Sequence, residues 1–362
     1  MVRILHAADF HLDSAYGALG EEQARARRHE SRELVRAMVD YANEQGVQVM
    51  LLSGDLFDSD DIFSQTGEDL ALALSRFDGH VFIAPGNHDF CCPGSAYDRI
   101  LWPENVHVFR EDALQAVELP ECGCRIWGAA FTAPSVHDGS VLKGFAVPDD
   151  GWVDLIVLHG DLGGRDSQYR PLTEAQLAST GADYVALGHQ HGCSGVHMAG
   201  KTAWAYSGCI EGRGFDELGE KGVLCGTVSP GRADLRFVPL GKRRYEIVNV
   251  DVTDSRPLAA ISAALPQDTE RDIYRIILTG ETEEPVRVDW LQRELGDRFY
   301  ALELRDQTRM RQDLWAKCGE DSLRGLFLQE LRKKYDAADE AGRRQIEQAV
   351  RFGLAAMDNR EM

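Results

Sequence analysis

The sequence predicts a layered α/β protein followed by a small α+β module and a helical tail. Three observations carry this. Five times within the first two hundred residues, a short apolar run stops at a small cluster of Asp, His, Asn and Gly. Helical stretches separate several of these runs. From about residue 255 the composition changes. Residues 1–245 are expected to form the main domain, 246–315 an accessory module and 316–362 a helical C-terminal segment, in line with roughly 150 residues per domain.

The first run, Arg3 to Ala8, meets Asp9-Phe10-His11. Val47 to Leu52 leads into Ser53-Gly54-Asp55, and Val81 to Ala84 into Pro85-Gly86-Asn87-His88-Asp89. Leu155 to Leu158 leads into His159-Gly160-Asp161, and Tyr184 to Leu187 into Gly188-His189-Gln190-His191. Unbroken apolar runs of this length suit strands buried on both faces. From Glu21 to Glu44, Leu34, Met38, Tyr41 and Ala42 recur at helical spacing, and Gly46 stops the helix. Alternating strands and helices make a layered sheet whose ligands gather at the carboxyl ends of its strands. All five polar clusters sit at such ends, so they can converge although about 180 residues separate them.

Trp204 to Gly208 precedes a Gly-rich loop, Glu211-Gly212-Arg213-Gly214-Phe215. Strands are expected over Gly222 to Val228, Asp234 to Val238 and Tyr245 to Asp251. A helix (Leu258 to Leu265), a strand (Tyr274 to Thr279) and a helix (Val286 to Leu295) make up the accessory module. Two apolar stripes follow: Leu323, Leu326, Phe327 and Leu331, then Ile346, Val350 and Leu354. No internal repeat or low-complexity segment is apparent.

Composition narrows the function. The 362 residues carry 39 Lys+Arg against 59 Asp+Glu, a formal net charge of -20. Such acidity argues against a chain that binds nucleic acid unaided, because phosphate contacts need clustered cations. No apolar run approaches the ~20 residues that span a bilayer, and the N-terminus reads as a strand instead of a signal peptide. Eight cysteines without a CxxC pair are expected to be reduced thiols in a cytoplasmic protein. The spacing of Cys91, Cys92, Cys122 and Cys124 is wrong for the usual zinc knuckles.

Asp9, His11, Asp55, Asn87, His159, His189 and His191 form a set of oxygen and nitrogen ligands larger than one tetrahedral ion requires. They suit two neighbouring divalent ions sharing a carboxylate, and the mixture favours Mn²⁺, Fe²⁺ or Zn²⁺ over Mg²⁺ or Ca²⁺. Such a pair clamps the oxygens of a phosphoryl displacement. Six other histidines (His6, His29, His80, His107, His137 and His197) read as structural.

These five motifs, in order, resemble those of the calcineurin-like metallophosphoesterases. His11-Leu12-Asp13-Ser14, Trp102 to Val108 and Gly212 to Gly222 are similar to the SbcD/YhaO-type DNA repair exonucleases. The resemblance covers about residues 1–250. It implies a metallophosphoesterase β-sandwich flanked by helices, with a capping domain and helical tail beyond it. One ion would be held by Asp9, His11, Asp55 and His191, the other by Asp55, Asn87, His159 and His189. A bridging hydroxide would attack phosphorus, and His88 would protonate the leaving oxygen. DNA is the implied substrate and an SMC-like coiled-coil ATPase the implied partner, with dimerisation also expected.

One position departs from the nuclease pattern: three residues after the bridging carboxylate stands Asp58, where that branch carries His. Asp58 is expected to hydrogen-bond His88, as in the phosphoprotein phosphatases. Arg213 is expected to touch substrate phosphate; Arg25, Arg28, Arg32 and Arg36 offer a second basic feature for a phosphate backbone but read rather as a solvated stripe paired with nearby Glu. A phosphatase or small-molecule phosphodiesterase with the same site, and an inactive scaffold in a repair complex, remain alternatives.

Overall fold

The computed structural model describes residues 1–59, 62–164, 166–311 and 313–357. It divides into two compact units. One holds Met1–Val248, Leu265–Ile276 and Gln292–Leu304; the other holds Asn249–Ala264, Ile277–Leu291 and Arg305–Met362.

The first unit begins with β1 (Val2–Ala7), α1 (Glu21–Glu44), β2 (Val49–Leu52), α2 (Ser64–Leu74), β3 (His80–Ile83), α3 (Ala96–Arg99) and β4 (Val106–Val108). There follow β5 (Gln115–Leu119), β6 (Cys124–Gly128), β7 (Val153–His159), β8 (Asp161–Leu162), β9 (Pro171–Leu172), α4 (Glu174–Thr180) and β10 (Tyr184–Gly188). Next come β11 (His197–Ala199), β12 (Thr202–Tyr206), β13 (Gly222–Ser229), β14 (Arg232–Pro239) and β15 (Tyr245–Asp251). Two six-stranded sheets result, ordered β14-β13-β1-β2-β3-β4 and β11-β12-β10-β7-β6-β5. Strands β1 to β4 run parallel to one another, as do β6, β7, β10 and β12.

Strand alternation sorts the side chains into layers. Val2, Ile4, Val49 and Leu51 from the first sheet meet Ile126, Leu155, Val157, Tyr184 and Ala186 from the second in one core. The opposite faces pack helices: Leu5, Ala7, Met50 and Leu52 lie with Leu34, Met38, Leu70 and Leu74 of α1 and α2. Ile156, Leu158, Val185 and Leu187 lie with Leu177 of α4. The mixed α/β sandwich matches the expected class. The strands over 106–128 are less legible, because β5 is largely exposed along its length and interrupts its apolar residues with Gln115 and Glu118.

The second unit contains α5 (Pro257–Ala264) and α7 (Leu323–Ala337) with α8 (Glu340–Met357). Strand β16 (Ile273–Thr279), β17 (Glu281–Thr282), α6 (Val288–Leu295), β18 (Ala301–Asp306) and β19 (Arg309–Met310) complete the chain. Strands β15, β16 and β18 form one sheet in that order. The apolar stripe of α7 differs from expectation. Leu323 and Leu326 are exposed, and Leu328 packs instead with Val350 and Leu314. Ser322 caps this helix, its Oγ accepting from the Gly325 N–H at 3.1 Å, so Leu323 lies in a terminal turn without cover. No described helix is long and apolar enough to cross a membrane.

Candidate metal centre

Parallel strands bring the polar clusters to one edge of the sandwich. Asp9 and His11 follow β1, Asp55 follows β2, Asn87 and His88 follow β3, His159 ends β7, and His189 and His191 follow β10. Backbone bonds stitch the loops together: Asp9 N–H donates to Gly54 O and His11 N–H to Asp55 O, both at 3.0 Å. Asp9, His11, Asp55 and His189 have φ of 54°, 44°, 51° and 114°. They are half of the eight non-glycine residues with positive φ among those described. Such backbone costs about 1–3 kcal/mol per residue and persists only where the surroundings over-determine it. Gly54, at φ +85°, has no such option: a Cβ there would lie 2.7 Å from Gly86 N and 2.8 Å from His159 Nδ1.

Besides a group of His11, Asp58 and His88, the donor atoms fall into two overlapping groups. Asp9, His11 and His191 form one, Asp9, Asp55 and His159 the other, with the donor atoms of each group within 4.8 Å of one another. His11 Nε2 and His191 Nε2 face each other at 3.3 Å. His159 Nε2 lies 3.0 Å from Asn87 Oδ1 and 3.3 Å from Asp55 Oδ2. Asp55 Oδ2 is also 3.8 Å from His11 Nε2, so this carboxylate stands between the groups. His189 joins through its ring, 5.4 Å from that of His159 between centroids. No cysteine belongs to such a group among the described residues, and all eight cysteines are free thiols.

The chemistry of these donors fits divalent cations. Burial lowers the His159 pKa to about 4 and lowers that of His11 despite the neighbouring Asp58. Both imidazoles are therefore neutral near pH 7 and offer lone pairs. Burial, then the adjacent Asp55, raises the Asp9 carboxyl well above its ordinary value. Burial opposes ionisation of Asp55 too, but His159, His11 and His88 outweigh it and lower its pKa. Two close buried carboxylates facing several neutral imidazoles need positive charge to balance them.

Several of the imidazoles have a partner near their other nitrogen. His159 Nδ1–H donates to Ser53 O at 2.8 Å, which fixes the tautomer and leaves Nε2 inward. His191 Nδ1 lies 2.7 Å from Glu217 Oε1. His11 Nδ1 is 3.2 Å from Asp58 Oδ1, although poorly aligned for a hydrogen bond. His88 Nδ1–H donates to the backbone carbonyl of Asp58 at 3.0 Å.

One expectation is corrected here. The Asp58 carboxylate is turned toward His11 and toward Arg213 Nη1, 3.0 Å away; it is the main-chain oxygen that bonds His88. The fixed guanidinium charge of Arg213 draws the carboxylate to itself. Arg213, expected as a phosphate contact, spans Asp58 and Glu217, with Nη2 2.6 Å from Glu217 Oε1. Its charge is therefore already balanced by two carboxylates. The helix stripe is half-buried from Arg28 on and only partly paired with acids: Arg32 reaches Asp13 at 3.3 Å, Arg36 reaches Glu33 and Asp69 at 2.5 and 3.4 Å, and Arg28 donates to Ala15 O at 3.4 Å.

Sequence reasoning missed Glu217, Asp89 and Arg27. Glu217, only 3% exposed, lies four residues after Arg213, a spacing that offers a pairing signal. Burial would raise its pKa, but His191 and Arg213 hold it well below the usual carboxylate range. Asp89 knits two loops, accepting from Gly86 N–H at 2.8 Å, Leu56 N–H at 2.7 Å and the Tyr97 hydroxyl at 2.7 Å. Burial, then Asp55, pushes its carboxyl up to about 6. Arg27 is fully buried between Glu30, 2.7 Å away, and Glu211.

Comparison with known proteins points the same way. The family described as Calcineurin-like phosphoesterase matches residues 2–193. Over 268 residues the chain is 31% identical to the uncharacterized metallophosphoesterase YhaO of Bacillus subtilis (strain 168). That match covers 71% of this chain and 65% of the relative.

Proposed function

The chain belongs to the calcineurin-like phosphoesterases, and from that premise we propose a two-metal DNA nuclease that works in DNA repair. It is a metallophosphoesterase, a hydrolase acting on phosphoester bonds. The observation that carries the finer reading is that two donor groups share Asp9 while the Asp55 carboxylate stands 3.3 Å from His159 and 3.8 Å from His11, with the His88 ring 4.7 Å from that of His11.

One ion is assigned to Asp9, His11, Asp55 and His191, the other to Asp55, Asn87, His159 and His189. Mn²⁺ is the proposed ion, and Fe²⁺ or Zn²⁺ suit the same donors. When bound, the ions polarise the phosphoryl group and lower the pKa of water. The chain's own residues do the rest. Asp55 keeps the two groups in register and accepts from His88 N–H at 2.9 Å. His88, tethered at Nδ1 by the Asp58 carbonyl, presents Nε2 to donate a proton to the leaving oxygen. Ser53 O and Glu217 keep His159 and His191 from rotating away.

The net charge of -20 makes the chain a poor magnet for DNA. An SMC-like coiled-coil ATPase is therefore proposed to supply the grip, and the chain is proposed to form a homodimer. A second reading, a phosphatase or small-molecule phosphodiesterase, is favoured by the engagement of Arg213 with Asp58 and Glu217.

The test incubates Mn²⁺-loaded protein with linear duplex DNA, single-stranded DNA, bis-p-nitrophenyl phosphate and p-nitrophenyl phosphate in parallel. Mn²⁺-dependent DNA degradation that falls about 10²–10⁴-fold in His88→Ala is the expected result. Rapid monoester turnover with DNA left intact would replace the nuclease with the second reading.

A further inference from the structure

We propose that Arg213 is a positioning residue which, through Asp58 and Glu217, holds His11 and His191 as the imidazole pair of one metal position. The proposal rests on the two-metal reading and deepens it.

The guanidinium reaches two carboxylates at once, and its Nη2 also lies 3.2 Å from His191 Nδ1. Nη1 lies 3.0 Å from Asp58 Oδ1, while Nε and Nη2 lie 3.1 and 2.6 Å from Glu217 Oε1. Each carboxylate in turn approaches a different imidazole at Nδ1: Asp58 at His11, 3.2 Å, and Glu217 at His191, 2.7 Å. Those rings meet at their Nε2 atoms, 3.3 Å apart. The five side chains thus close a ring around one candidate metal position. A planar fork with several donors can bridge two carboxylates in this way, whereas an ammonium is a point charge.

The ring is built into the fold. Glu217 Oε2 accepts from the Arg213 backbone N–H at 2.7 Å, closing the loop on itself. The start of that loop is pinned from beneath, because Glu211 is buried, pairs with Arg27 and accepts from Lys242 N–H at 2.8 Å. Lys221 Nζ donates to His191 O at 3.1 Å and fixes the main chain there. The side chain of Arg213 is 17% exposed and that of Glu217 only 2%, so the contacts are sheltered from solvent.

The experiment measures bound Mn²⁺ per chain and its affinity by titration calorimetry on full-length protein, with circular dichroism and metal-free melting as folding checks. Outer tethers of metal ligands are worth about 10–100-fold in metal affinity. Arg213→Lys and Glu217→Ala are expected to lower affinity by that factor at one position and leave the second ion bound. Glu217→Gln is expected to recover most of the loss, because its amide oxygen still accepts from His191 Nδ1–H. Wild-type affinity for both ions in Arg213→Lys and Glu217→Ala would overturn the proposal. Should Arg213→Lys fail to fold, equal affinities in Glu217→Ala and Glu217→Gln would overturn it alone. Wild-type protein that binds fewer than two ions would instead overturn the two-metal reading on which the proposal stands.

Discussion

The two halves of the centre are held by different materials. His159 is buried, and its outer nitrogen is tied to a main-chain carbonyl, Ser53 O, at the end of β2. His191 is 31% exposed in its side chain, and its outer nitrogen is tied to the Glu217 carboxylate on a loop. His11 shares the loop-held half through Asp58. The sheet-held half inherits its geometry from the strand ladder, so no side-chain substitution can delete its tether. The loop-held half depends on charges that one substitution or a change of pH can remove. A metal centre can therefore have a rigid side and a tunable side within one set of ligands.

The strongest way to break this comparison is to remove what the halves share. Asp55 lies between them and has its carboxylate within 3.3 Å of His159 and 3.8 Å of His11. Asp55→Asn keeps an acceptor for the His88 N–H but loses the charge. It is expected to weaken both ions and to lower phosphoester hydrolysis by about 10³-fold, from several kcal/mol of lost metal stabilisation. Metal analysis alongside kinetics checks it. Loss of only one ion, with the other bound at wild-type affinity, would show that the halves do not share this residue.

The same division explains what could be read in advance. The sheet-held half was legible because its ligands stand at the ends of unbroken apolar runs, a pattern burial forces on parallel strands. Ser53 left no signal, since a main-chain carbonyl is independent of side-chain identity. In the loop-held half the ligands were visible but their tethers were not. Asp58 and Arg213 were both singled out, yet with other contacts, because loop conformation decides which of several charges a carboxylate meets. Arg213–Glu217 and Arg27–Glu30 are local pairs, but the contacts that tie them into the site, His191 with Glu217 and Arg27 with Glu211, join residues far apart in sequence, about which local spacing says little. Composition could place the acidity of the chain but not the balanced charges within it.

Gly54→Ala should damage the sheet-held half selectively. The new Cβ would press on Gly86 N and Ala84 O, main-chain atoms that cannot swing aside, at a φ of +85°. Strain and overpacking together are expected to cost about 3 kcal/mol or more. For a chain of this size that corresponds to a melting temperature lower by about 4 °C. The ion assigned to the His159 side should be the one whose affinity falls. Selective weakening of the His11/His191 position, tracked in a Glu217→Ala background, would reverse the assignment of rigid and tunable sides.

The smallest expected effect tests the foundation of the loop. Glu30 is 8% exposed and bonds Arg27 at 2.7 Å and Arg243 Nη2 at 2.6 Å. Burial alone would raise its pKa, but Arg243 and Arg27 outweigh it and hold it at about 2, against an ordinary 4.5. A depressed carboxylate contributes stability that is fully present above pH 4.5 and is lost as pH falls toward 2. The contribution is about 2 kcal/mol after allowance for solvent at the edge of the network. Glu30→Gln should therefore lower the denaturant midpoint at pH 7 and converge with wild type as the pH approaches 2. A gap between the two proteins that stays constant from pH 7 to pH 2.5 would assign the loss to packing, and acid would then have no preferred route into the loop-held half through this network.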